Sequence, residues 1–565
     1  MSVKKLKVVL CWHMHQPDYR GPEGADYKLP WVYLHGTKDY VDMAYHLESI
    51  PKARAVVNFA PVLLEQLDDY VTQIGNWIEH GTRIRDPLLA ALAGPGLPLE
   101  GTSRKQVLQA VLKANERNLI GRFPPYQRLA ELARQLLAEP LLQPYFSDRL
   151  LVDLLVWYHL AWMGEEVREK EPRIGKLEEK GGGFDASDRH ALLEIIYTTL
   201  KGIIPRYRAL AEAGKVELSV SPYAHPIIPL LLDLGSAREA MPKVALPKES
   251  GYPGGEERSR WHLRKGLEVF EQHFGFRPSG CWPSEGAISD ATLRLLEAEG
   301  FTWAASGQAV LSNSLHASLA GAAFPPHWSH RPYRLEEGKL NSFFRDDGLS
   351  DLIGFTYSDW HGDDAVGNLV QHLETIACAT DCDDNCVVSI ILDGENAWEH
   401  YPKNGWYFLQ ALYQRLSTHP QLELTTFEAA MQKSLDQVAT LPQLVGGSWV
   451  YGTFSTWIGD RDKNRAWEML IEAKHHYDRV VRQHRLDPKR LAEAELQLAH
   501  CEGSDWFWWF GDYNPAAAVA DFEQLFRAQL TCLYQLLEVK PPAYLGKVFA
   551  EGKGDPAKGG VMRKS

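Results

Sequence analysis

Seven short apolar runs recur along the chain, and stretches of helix-forming residues separate most of them. The runs are apolar at almost every position, which is typical of strands covered on both faces, as in a parallel sheet. Strands that alternate with helices predict parallel order, and seven such repeats predict closure into a barrel. The predicted strands are residues 6–11, 54–59, 215–221, 278–282, 301–306, 340–346 and 387–393.

Two regions depart from the strand–helix repeat. Residues 61–210 are too long for one crossover and are rich in helix formers, so we predict a helical insertion there. Beyond about residue 410 the chain is mainly helix-forming, with GGSWVYG at 446–452 as the next strand-like run. The predicted fold is α/β: an incomplete (β/α)7 barrel with helical insertions over 1–410, then a mainly α-helical domain over 411–540. Residues 541–565 are predicted to be a flexible tail.

Charge and composition limit the classes of binding partner that the protein can have. The net charge of −13 argues against nucleic acid or an anionic membrane as the main partner. No stretch of about 18 uncharged apolar residues occurs, so no membrane span is expected. The run VVLCW is too short for the apolar part of a signal peptide and is interrupted by His13. We expect a cytoplasmic protein, and the sequence leaves its oligomeric state open.

The seven cysteines, an odd number spread through the chain, favour reduced thiols over a disulfide framework. Cys378, Cys382 and Cys386 form a C-x3-C-x3-C pattern. This spacing matches none of the usual zinc patterns, and no fourth ligand is evident nearby. We interpret the segment as a loop with incidental thiols and expect neither a metal nor another cofactor.

Polar residues capable of chemistry stand at the carboxyl ends of the predicted strands, where barrel active sites are built. Each has an ordinary explanation on its own. Asp-Gly at 393 is a turn signal, and His225 could be a core residue whose ring nitrogens are hydrogen-bonded. Their shared position indicates one site. The residues are His13 and His15 after the first strand, His225 after the third, Glu285 after the fourth, Arg345 and Asp346 at the end of the sixth, and Asp393 at the end of the seventh.

Two acids that face each other across a cleft fit the cleavage of a glycosidic bond. One carboxylate attacks the anomeric carbon, and the other, kept protonated, donates to the leaving oxygen. Asp393 follows the apolar run SIIL, where burial would raise its pKa and make it the acid. We expect Glu285, beside Trp282, to be held ionised by neighbouring histidines or by Arg345.

Two segments of the helical region combine tryptophan, aspartate and glycine, at 447–468 and 503–512. Sugar rings stack on indoles, while carboxylates accept hydrogen bonds from hydroxyl groups. The alternative is an aromatic core at a domain junction. We predict that Trp457 or Trp506 lines a sugar subsite and that Trp508 packs. The predicted substrate-binding residues of this region are Trp457, Asp460, Asp505 and Trp506.

Five ordered motifs resemble those of glycoside hydrolase family 57, the α-glucan-active enzymes. They are HQP at 15–17, VSPYAHPIIPLL at 220–231, CWPSEGAIS at 281–289, LDGENAWEHYP at 392–402, and the WIGD and DWFWWFGD segments. The resemblance covers nearly the whole chain. It implies an incomplete seven-stranded barrel followed by a helical domain, and a retaining mechanism without a metal in catalysis. By motif it implies Glu285 as nucleophile and Asp393 as general acid/base, with His13, His15, His225 and Trp282 lining the central subsite.

The amylopullulanase and α-amylase-like branch is the most similar, because of WPSEG and LDGENAWE. We therefore expect a retaining enzyme that acts on an α-glucan oligo- or polysaccharide and cleaves α-1,4 bonds, with α-1,6 bonds left open. The carboxyl groups should lie about 5–5.5 Å apart for retention, whereas about 6.5 Å or more would favour inversion.

Three alternatives to this hydrolase remain. A 4-α-glucanotransferase or branching-type transglycosylase could use the same site. A metal-dependent carbohydrate deacetylase or mannosidase is a second, because His-x-His at a strand end with a further His and Asp can hold zinc. A non-catalytic glycan-binding protein is the third.

Overall fold

The computed structural model describes residues 5–554 except 23–25, 95–100, 140, 142–145, 320–322, 326, 380–384 and 433–437, and for 101–103 only the backbone. All seven predicted strands are present, and three short ones accompany them. The strands are β1 (Leu6–Met14), β2 (Ala55–Phe59), β3 (Val216–Val220), β4 (Gly280–Cys281), β5 (Trp303–Gly307), β6 (Tyr333–Leu335), β7 (Asn341–Arg345), β8 (Val387–Asp393), β9 (Leu422–Thr425) and β10 (Ala439–Leu441).

The seven predicted strands form a parallel barrel in the order β1-β2-β3-β4-β5-β7-β8. Almost every residue of these strands is buried, which explains why their sequences are continuous apolar runs rather than alternating ones. Closure between β7 and β8 rests on one residue pair, Arg345 with Ser389, and on a 2.7 Å hydrogen bond from the Asp346 amide to the Ser389 carbonyl. The predicted incomplete seven-stranded barrel followed by a helical region is confirmed.

The three additional strands lie at the margins of the barrel. β9 pairs in parallel with residues 6–9 of β1, while residues 11–14 of β1 pair with β2. β6 pairs antiparallel with β7, and β10 pairs with β6. Runs of three or four residues are too short to show a periodic pattern, so the sequence did not predict them. The strand-like run at 446–452 forms a loop instead, with one bridge from Gly447 to Ile288.

Side chains fill the barrel at the amino ends of its strands. Phe427, which follows β9, has its ring centroid 4.6 Å from Trp303 and 4.4 Å from Phe343. The Trp303 indole N–H donates to Glu217 at 2.6 Å, and all four side chains are buried. Because this end is filled, the polar residues predicted to form a site can meet only at the opposite end.

Helices account for the predicted insertion and for the region after residue 460. In the insertion they are Pro61–His80, Pro87–Ala93, Gly101–Ala110, Pro124–Ala138, Asp148–Ala161, Glu165–Lys170, Pro172–Lys180 and Ala186–Glu212. Around the barrel they are Trp31–His35, Val41–Ser49, Ile228–Leu232, Ala237–Ala240, Gly255–Phe274, Asp290–Ala298, Gln308–Leu319, Asp347–Asp351, Gly362–Ala377, Trp406–Thr418 and Phe427–Gln432. The C-terminal helices are Arg461–Arg482, Pro488–Cys501, Asp505–Trp509 and Ala516–Leu536. Across the described ranges no helix has the length and apolar character needed to cross a membrane.

Two predicted boundaries can be compared with the structure. The sheet continues beyond 410, which falls inside helix Trp406–Thr418, because β9 pairs with β1 and β10 pairs with β6. Residues 541–554 are not a loose tail. Phe549 packs 5.1 Å from Phe510, and the Gly554 amide donates to the Asn514 carbonyl at 2.9 Å, so apolar contacts hold this part of the segment. Residues 555–565 lie outside the described residues.

We predict that Phe427→Ala destabilises the protein by about 3–5 kcal/mol, because it empties the space between Trp303 and Phe343. Denaturant unfolding followed by tryptophan fluorescence measures the loss. Phe355→Ala is the control, since that ring is 36% exposed, and we expect a change within about 0.5 kcal/mol. Equal losses in the two variants would contradict the packing role of Phe427.

Candidate active site

Glu285 and Asp393, the predicted acid pair, come from well-separated strands and meet at the carboxyl end of the barrel. Glu285 lies in the turn Ser284–Gly286 that follows β4, and Asp393 is the last residue of β8. Around the barrel, β1, β2 and β3 lie between them on one side, and β5 and β7 on the other. The charge of Asp393 raises the pKa of Glu285, so the two side chains lie within electrostatic range of each other.

The backbone at Glu285 adopts φ 58° and ψ 26°, the left-handed region that favours glycine. Such a conformation costs on the order of 1–3 kcal/mol in a residue with a side chain. Gly286 follows with φ 56°, and a Cβ there would lie 3.1 Å from the Trp282 ring and 3.2 Å from the Trp449 Cβ. The Trp-x-x-Glu-Gly sequence is therefore a tight turn that needs its glycine, because the rings of Trp282 and Trp449 leave no room for a side chain at 286.

Trp449 binds the Glu285 carboxylate directly. Its indole N–H donates to Glu285 Oε2 at 3.1 Å, and its ring meets Trp282 edge-on at 5.1 Å. His225 Nδ1 lies 3.8 Å from Glu285 Oε1 on the other side. Trp449 belongs to the run at 446–452, where a tryptophan flanked by glycines was the available signal, but the sequence analysis did not select it.

Burial raises the pKa of both carboxyl groups. It raises that of Glu285 to about 8, with a further contribution from the charge of Asp393. Burial also raises the pKa of Asp393 to about 6. A 2.8 Å hydrogen bond from Asn396 and the charges of His15 and Arg345 act in the opposite direction and lower this pKa. The expectation that Glu285 is the more readily ionised acid is therefore corrected. Between about pH 6 and 8 the pair shares one proton.

His13, His15 and His225 form one stack beside the acid pair, as the sequence predicted for residues at the ends of β1 and β3. The rings of His15 and His225 are 3.9 Å apart, and His13 lies 5.5 Å from His15 and 5.2 Å from His225. His13 Nε2, His15 Nδ1 and His225 Nε2 are buried and have no hydrogen-bond partner among the described residues. Each ring thus keeps one nitrogen available to a ligand.

The other nitrogen of each histidine is held by a partner. His13 Nδ1 bonds Asn58 at 2.7 Å, within the barrel. The partners of the other two come from the C-terminal region, Ser504 at 3.1 Å from His225 Nδ1 and Asp505 at 2.9 Å from His15 Nε2. Predicted substrate-binding residue Asp505 therefore contacts His15, and the site is built from both parts of the chain.

The three histidines differ in charge. Burial, aided by the charge of His15, lowers the pKa of His13 to about 3. Burial and the same neighbour lower the pKa of His225 well below its ordinary value. Burial disfavours the protonated form of His15 too. The negative charges of Asp505, Glu285 and Asp393 outweigh this effect of burial, so the pKa of His15 is raised. The stack therefore joins two rings whose pKa is lowered to one whose pKa is raised, so His15 is the ring that takes up a proton most readily.

The same three histidines are the cluster that could hold a metal ion. Their candidate ligand atoms all lie within 4.8 Å of one another. A metal binds imidazole nitrogens in the ring plane, so its ligands must converge on one point. Here the three rings are stacked, with interplanar angles of 14–20°. Of the three cysteines in the C-x3-C-x3-C pattern, which we interpreted as incidental thiols, Cys378 is exposed and Cys386 buried, and Cys382 lies outside the described residues.

Trp282 and Arg345 take the positions that the sequence predicted for them. Trp282 is buried between Trp449 and His13, whose ring lies 6.0 Å away. The Arg345 guanidinium lies 5.7 Å from the Trp449 ring centroid and donates to the Ile391 carbonyl at 2.8 Å. Arg345 thus acts on the pKa of Asp393 and lies over the ring of Trp449, which binds Glu285.

Asp346 is placed differently from the prediction. Its carboxylate accepts a 2.8 Å hydrogen bond from the Leu349 amide, capping helix Asp347–Asp351, and pairs with His330 at 2.8 Å. These partners give Asp346 a structural role beside the site, and its binding of a substrate stays a prediction. It is Asp347 and Asp351, each at 2.8 Å, that bind Arg345.

The tryptophans of the C-terminal region bear on the predicted sugar subsite. Trp506 is 2% exposed, packs against Phe522 and Phe526, and donates to the His500 carbonyl at 2.9 Å, so it belongs to the core. Trp508 is half-buried and packs against the core, as predicted, with its ring 6.0 Å from Trp457.

Trp457 and Asp460 also have structural surroundings. Trp457 is fully buried, 6.0 Å from Trp508, although its indole nitrogen has no hydrogen-bond partner among the described residues. Asp460 caps helix Arg461–Arg482 by accepting from the Asp462 amide at 2.8 Å. A role for either residue in binding a ligand stays a prediction.

Glu395 is a buried acid that the sequence analysis quoted but did not assign. Its Oε1 accepts hydrogen bonds from the His15 amide at 3.1 Å, from Gln16 at 3.0 Å and from Tyr40 at 3.0 Å. Burial and the nearby charge of Asp393 raise its pKa well above the ordinary value. Its position two residues after Asp393, in a motif already selected, was the signal that could have found it.

A parallel barrel with a buried carboxylate pair and a histidine stack at the carboxyl ends of its strands defines a barrel enzyme. Sequence comparison identifies the family of this enzyme. The profile of the family described as Glycosyl hydrolase family 57 matches residues 9–442, which contain the acid pair and the histidine stack. The chain belongs to this family. No curated protein matches it.

Solved structures show the same fold. A GH57-type branching enzyme from Pyrococcus horikoshii superposes with a TM-score of 0.59 at 15% identity, over 97% of this chain and 92% of that one. A GH57 branching enzyme from Thermococcus kodakaraensis gives 0.57 at 14%, over 94% and 90%. The α-amylase AmyC from Thermotoga maritima gives 0.55 at 14%, over 94% and 93%. The predicted family is confirmed, and the amylopullulanase-like branch stays a prediction.

We predict that Asp393→Asn lowers the pKa of Glu285 from about 8, because it removes the nearby negative charge. The pKa should remain above its ordinary value, since burial persists. NMR titration of carboxyl-labelled glutamate in the two proteins measures the shift. Asp346→Asn is the matched control, because asparagine also caps helices, and should leave the Glu285 titration in place. An unchanged Glu285 pKa in Asp393→Asn would show that the two acids do not interact.

Proposed function

We propose that the protein is a retaining α-glucan-active enzyme that cleaves α-1,4 glucosidic bonds through a glycosyl–enzyme intermediate. The observation that carries this proposal is the buried pair of Glu285 and Asp393, which shares one proton around neutral pH. A retaining glycosidase needs one ionised and one protonated carboxyl group on either side of the bond. Membership of family 57 supports an α-glucan as the substrate class, with α-1,6 bonds left open.

The first chemical step joins Glu285 to the sugar. A Glu285 oxygen attacks the anomeric carbon while Asp393 protonates the leaving oxygen. In the second step Asp393 takes a proton from water, and the water oxygen displaces Glu285 from the anomeric carbon. Two inversions at the same carbon retain its configuration.

The proton position that the reaction needs differs from that of the free protein. The pKa values of about 8 for Glu285 and about 6 for Asp393 place the shared proton on Glu285, whereas bond cleavage needs it on Asp393. The hydrogen bond from Trp449 favours the ionised form of Glu285 alone, while the charge of His15 lowers the pKa of both acids. The neutral rings of His13 and His225 offer their unpartnered nitrogens to sugar hydroxyls, and Trp282 supplies an apolar wall.

Transfer to a second sugar uses the same intermediate as hydrolysis, so a 4-α-glucanotransferase or branching-type activity is the second candidate. The solved structures with this fold include branching enzymes and an α-amylase, which support both. Loops around the mouth of the barrel decide whether water or a sugar hydroxyl reaches the intermediate. A cytoplasmic location fits the free cysteines among the described residues and belongs to this proposal.

We predict that Glu285→Gln lowers turnover of amylose and maltooligosaccharides by about 10³-fold or more and keeps glucan binding. The wild-type product should form first as the α-anomer, as followed by proton NMR. Glu268→Gln, an exposed glutamate paired with Lys265, is the control and should keep full activity. A wild type that binds α-glucans but turns none over would instead support a non-catalytic glycan-binding protein.

The metal-dependent alternative predicts a different result. If His13, His15 and His225 held a catalytic zinc ion, removal of the metal would abolish activity and added zinc would restore it. We expect turnover to stay within about twofold after exhaustive dialysis against a chelator, because the proposed steps use carboxyl groups alone. Elemental analysis of the dialysed protein confirms that the metal is gone. Loss of activity that zinc reverses would exclude the proposed mechanism.

A further inference from the structure

Residues 500–505 connect the second and third helices of the C-terminal region and lie against the carboxyl end of the barrel. The end of this segment supplies Ser504 and Asp505, the side chains that hold His225 and His15. The position of the segment therefore decides whether these two histidines keep their partners. A buried cluster of polar side chains at the centre of the segment fixes that position.

Glu502 is the centre of this cluster and is 1% exposed. Its carboxylate accepts two hydrogen bonds from the Arg258 guanidinium, at 2.8 and 3.0 Å, and one from the Tyr252 hydroxyl at 2.5 Å. His262 Nε2 lies 2.7 Å from the same carboxylate, and all four side chains are buried. Arg258 and His262 belong to helix Gly255–Phe274, which lies between β3 and β4 in the chain. A bidentate ion pair thus joins the C-terminal region to the barrel.

Glu502 is ionised in spite of its burial. Burial by itself would raise the pKa of Glu502, but the charge of Arg258 and the hydrogen bond from His262 outweigh burial and lower the pKa to about 2. If the carboxylate moved away from the guanidinium, two buried charges would lose their partners, which is strongly unfavourable. The cluster therefore holds Glu502 at a fixed place on the helix that carries Arg258.

The same helix also holds the loop that carries His225. The His262 carbonyl accepts a hydrogen bond from the Tyr223 amide at 2.9 Å. Gly503 approaches this loop so closely that a Cβ there would lie 2.9 Å from the Ala224 carbonyl oxygen. One residue of the helix thus contacts both partners, because its ring binds the segment and its carbonyl binds the loop.

We propose that Glu502 and Arg258 are positioning residues for the reaction: their ion pair holds Asp505 against His15 at the histidine stack. This inference rests on the proposed function. The two residues act through the backbone that leads from residue 502 to residue 505. Burial disfavours a proton on His15, and among the groups that raise its pKa Asp505 has the largest effect.

Displacement of Asp505 would change the ionisation of the acid pair. His15 is faced by Asp505 from the C-terminal region, by Glu285 and Asp393 from the barrel, and by the other two rings of the stack. Without Asp505 the pKa of His15 falls, because the largest influence that raises it is gone. The charge of His15 lowers the pKa of both acids, so its loss raises both. Both limbs of the pH profile of kcat/KM should then move to higher pH.

Glu502→Gln tests the proposal, because it removes the charge and keeps the size of the side chain. Glu523→Gln is the matched control, since Glu523 is also 1% exposed and binds Arg527, at 2.6 and 2.8 Å, and the Phe549 amide. We expect Glu502→Gln to lower kcat for maltopentaose at least about tenfold, to lower the pKa of His15 and to move the pH profile as stated. Glu523→Gln should leave all three unchanged, although both variants should unfold at a lower temperature than wild type.

NMR titration of protein with isotope-labelled histidine measures the pKa of His15, whose signal is assigned by its absence in His15→Asn. Tyr252→Phe provides a milder variant if Glu502→Gln does not fold, because it removes one hydrogen bond to Glu502 and keeps the ion pair. Tyr70→Phe, which removes a buried hydroxyl bound to Asp86, is its control. We expect the same three changes in Tyr252→Phe, smaller in size, and none of them in Tyr70→Phe.

Each outcome decides for or against the proposal. If Glu502→Gln folds and matches Glu523→Gln in kcat, or lowers kcat with the pKa of His15 unchanged, the cluster only stabilises the fold and the proposal is overturned. If Glu502→Gln does not fold, a pKa of His15 in Tyr252→Phe equal to that of wild type overturns it. The titration of His15 needs no substrate, so failure of the proposed function is distinguishable: a wild type that turns over no α-glucan contradicts that function alone.

Discussion

The burial of two carboxyl groups that face each other is the constraint on which the rest of the site depends. Taking both out of water raises both pKa values, and the charge of Asp393 raises that of Glu285 further. The neighbouring groups respond to this charge. Asn396 donates to Asp393, Trp449 donates to Glu285, and His15 carries the positive charge that faces both. Each of these contacts stabilises the single negative charge that the pair retains.

The helical region takes part in the site and does more than cover it. Ser504 and Asp505 hold His225 and His15, and the Ser504 amide also donates to the His225 carbonyl at 3.0 Å. His225 has φ 58°, so it is a second residue in the left-handed region at a strand end, with Glu285. Contacts from a distant part of the sequence thus fix a strained residue of the barrel, which ties the geometry of the site to the packing of the two regions.

Sequence reasoning succeeded where a local pattern reflected a global constraint. Continuous apolar runs occur only where both faces of a strand are covered, so all seven barrel strands were predictable, and the strand-end rule then selected Glu285, Asp393 and the three histidines. It failed for β9 and β10, which are too short to show a period. It also did not reveal that Trp506 is a core residue, because the burial of that indole depends on partners elsewhere in the chain. Asp346 was selected by its position alone. In the structure it caps a helix and pairs with His330.

The sequence by itself determined the class of fold, the family, and the identity of the acids, because these follow from the order of apolar runs and from residues adjacent to them. Only the tertiary structure decided which acid is harder to ionise, since that depends on burial and on a charge contributed by another strand. It also decided that Trp449 binds Glu285 and that Asp505 raises the pKa of His15. The contacts of Trp449 with Glu285 and of Asp505 with His15 join residues more than a hundred positions apart, and no local pattern carries information about such distances.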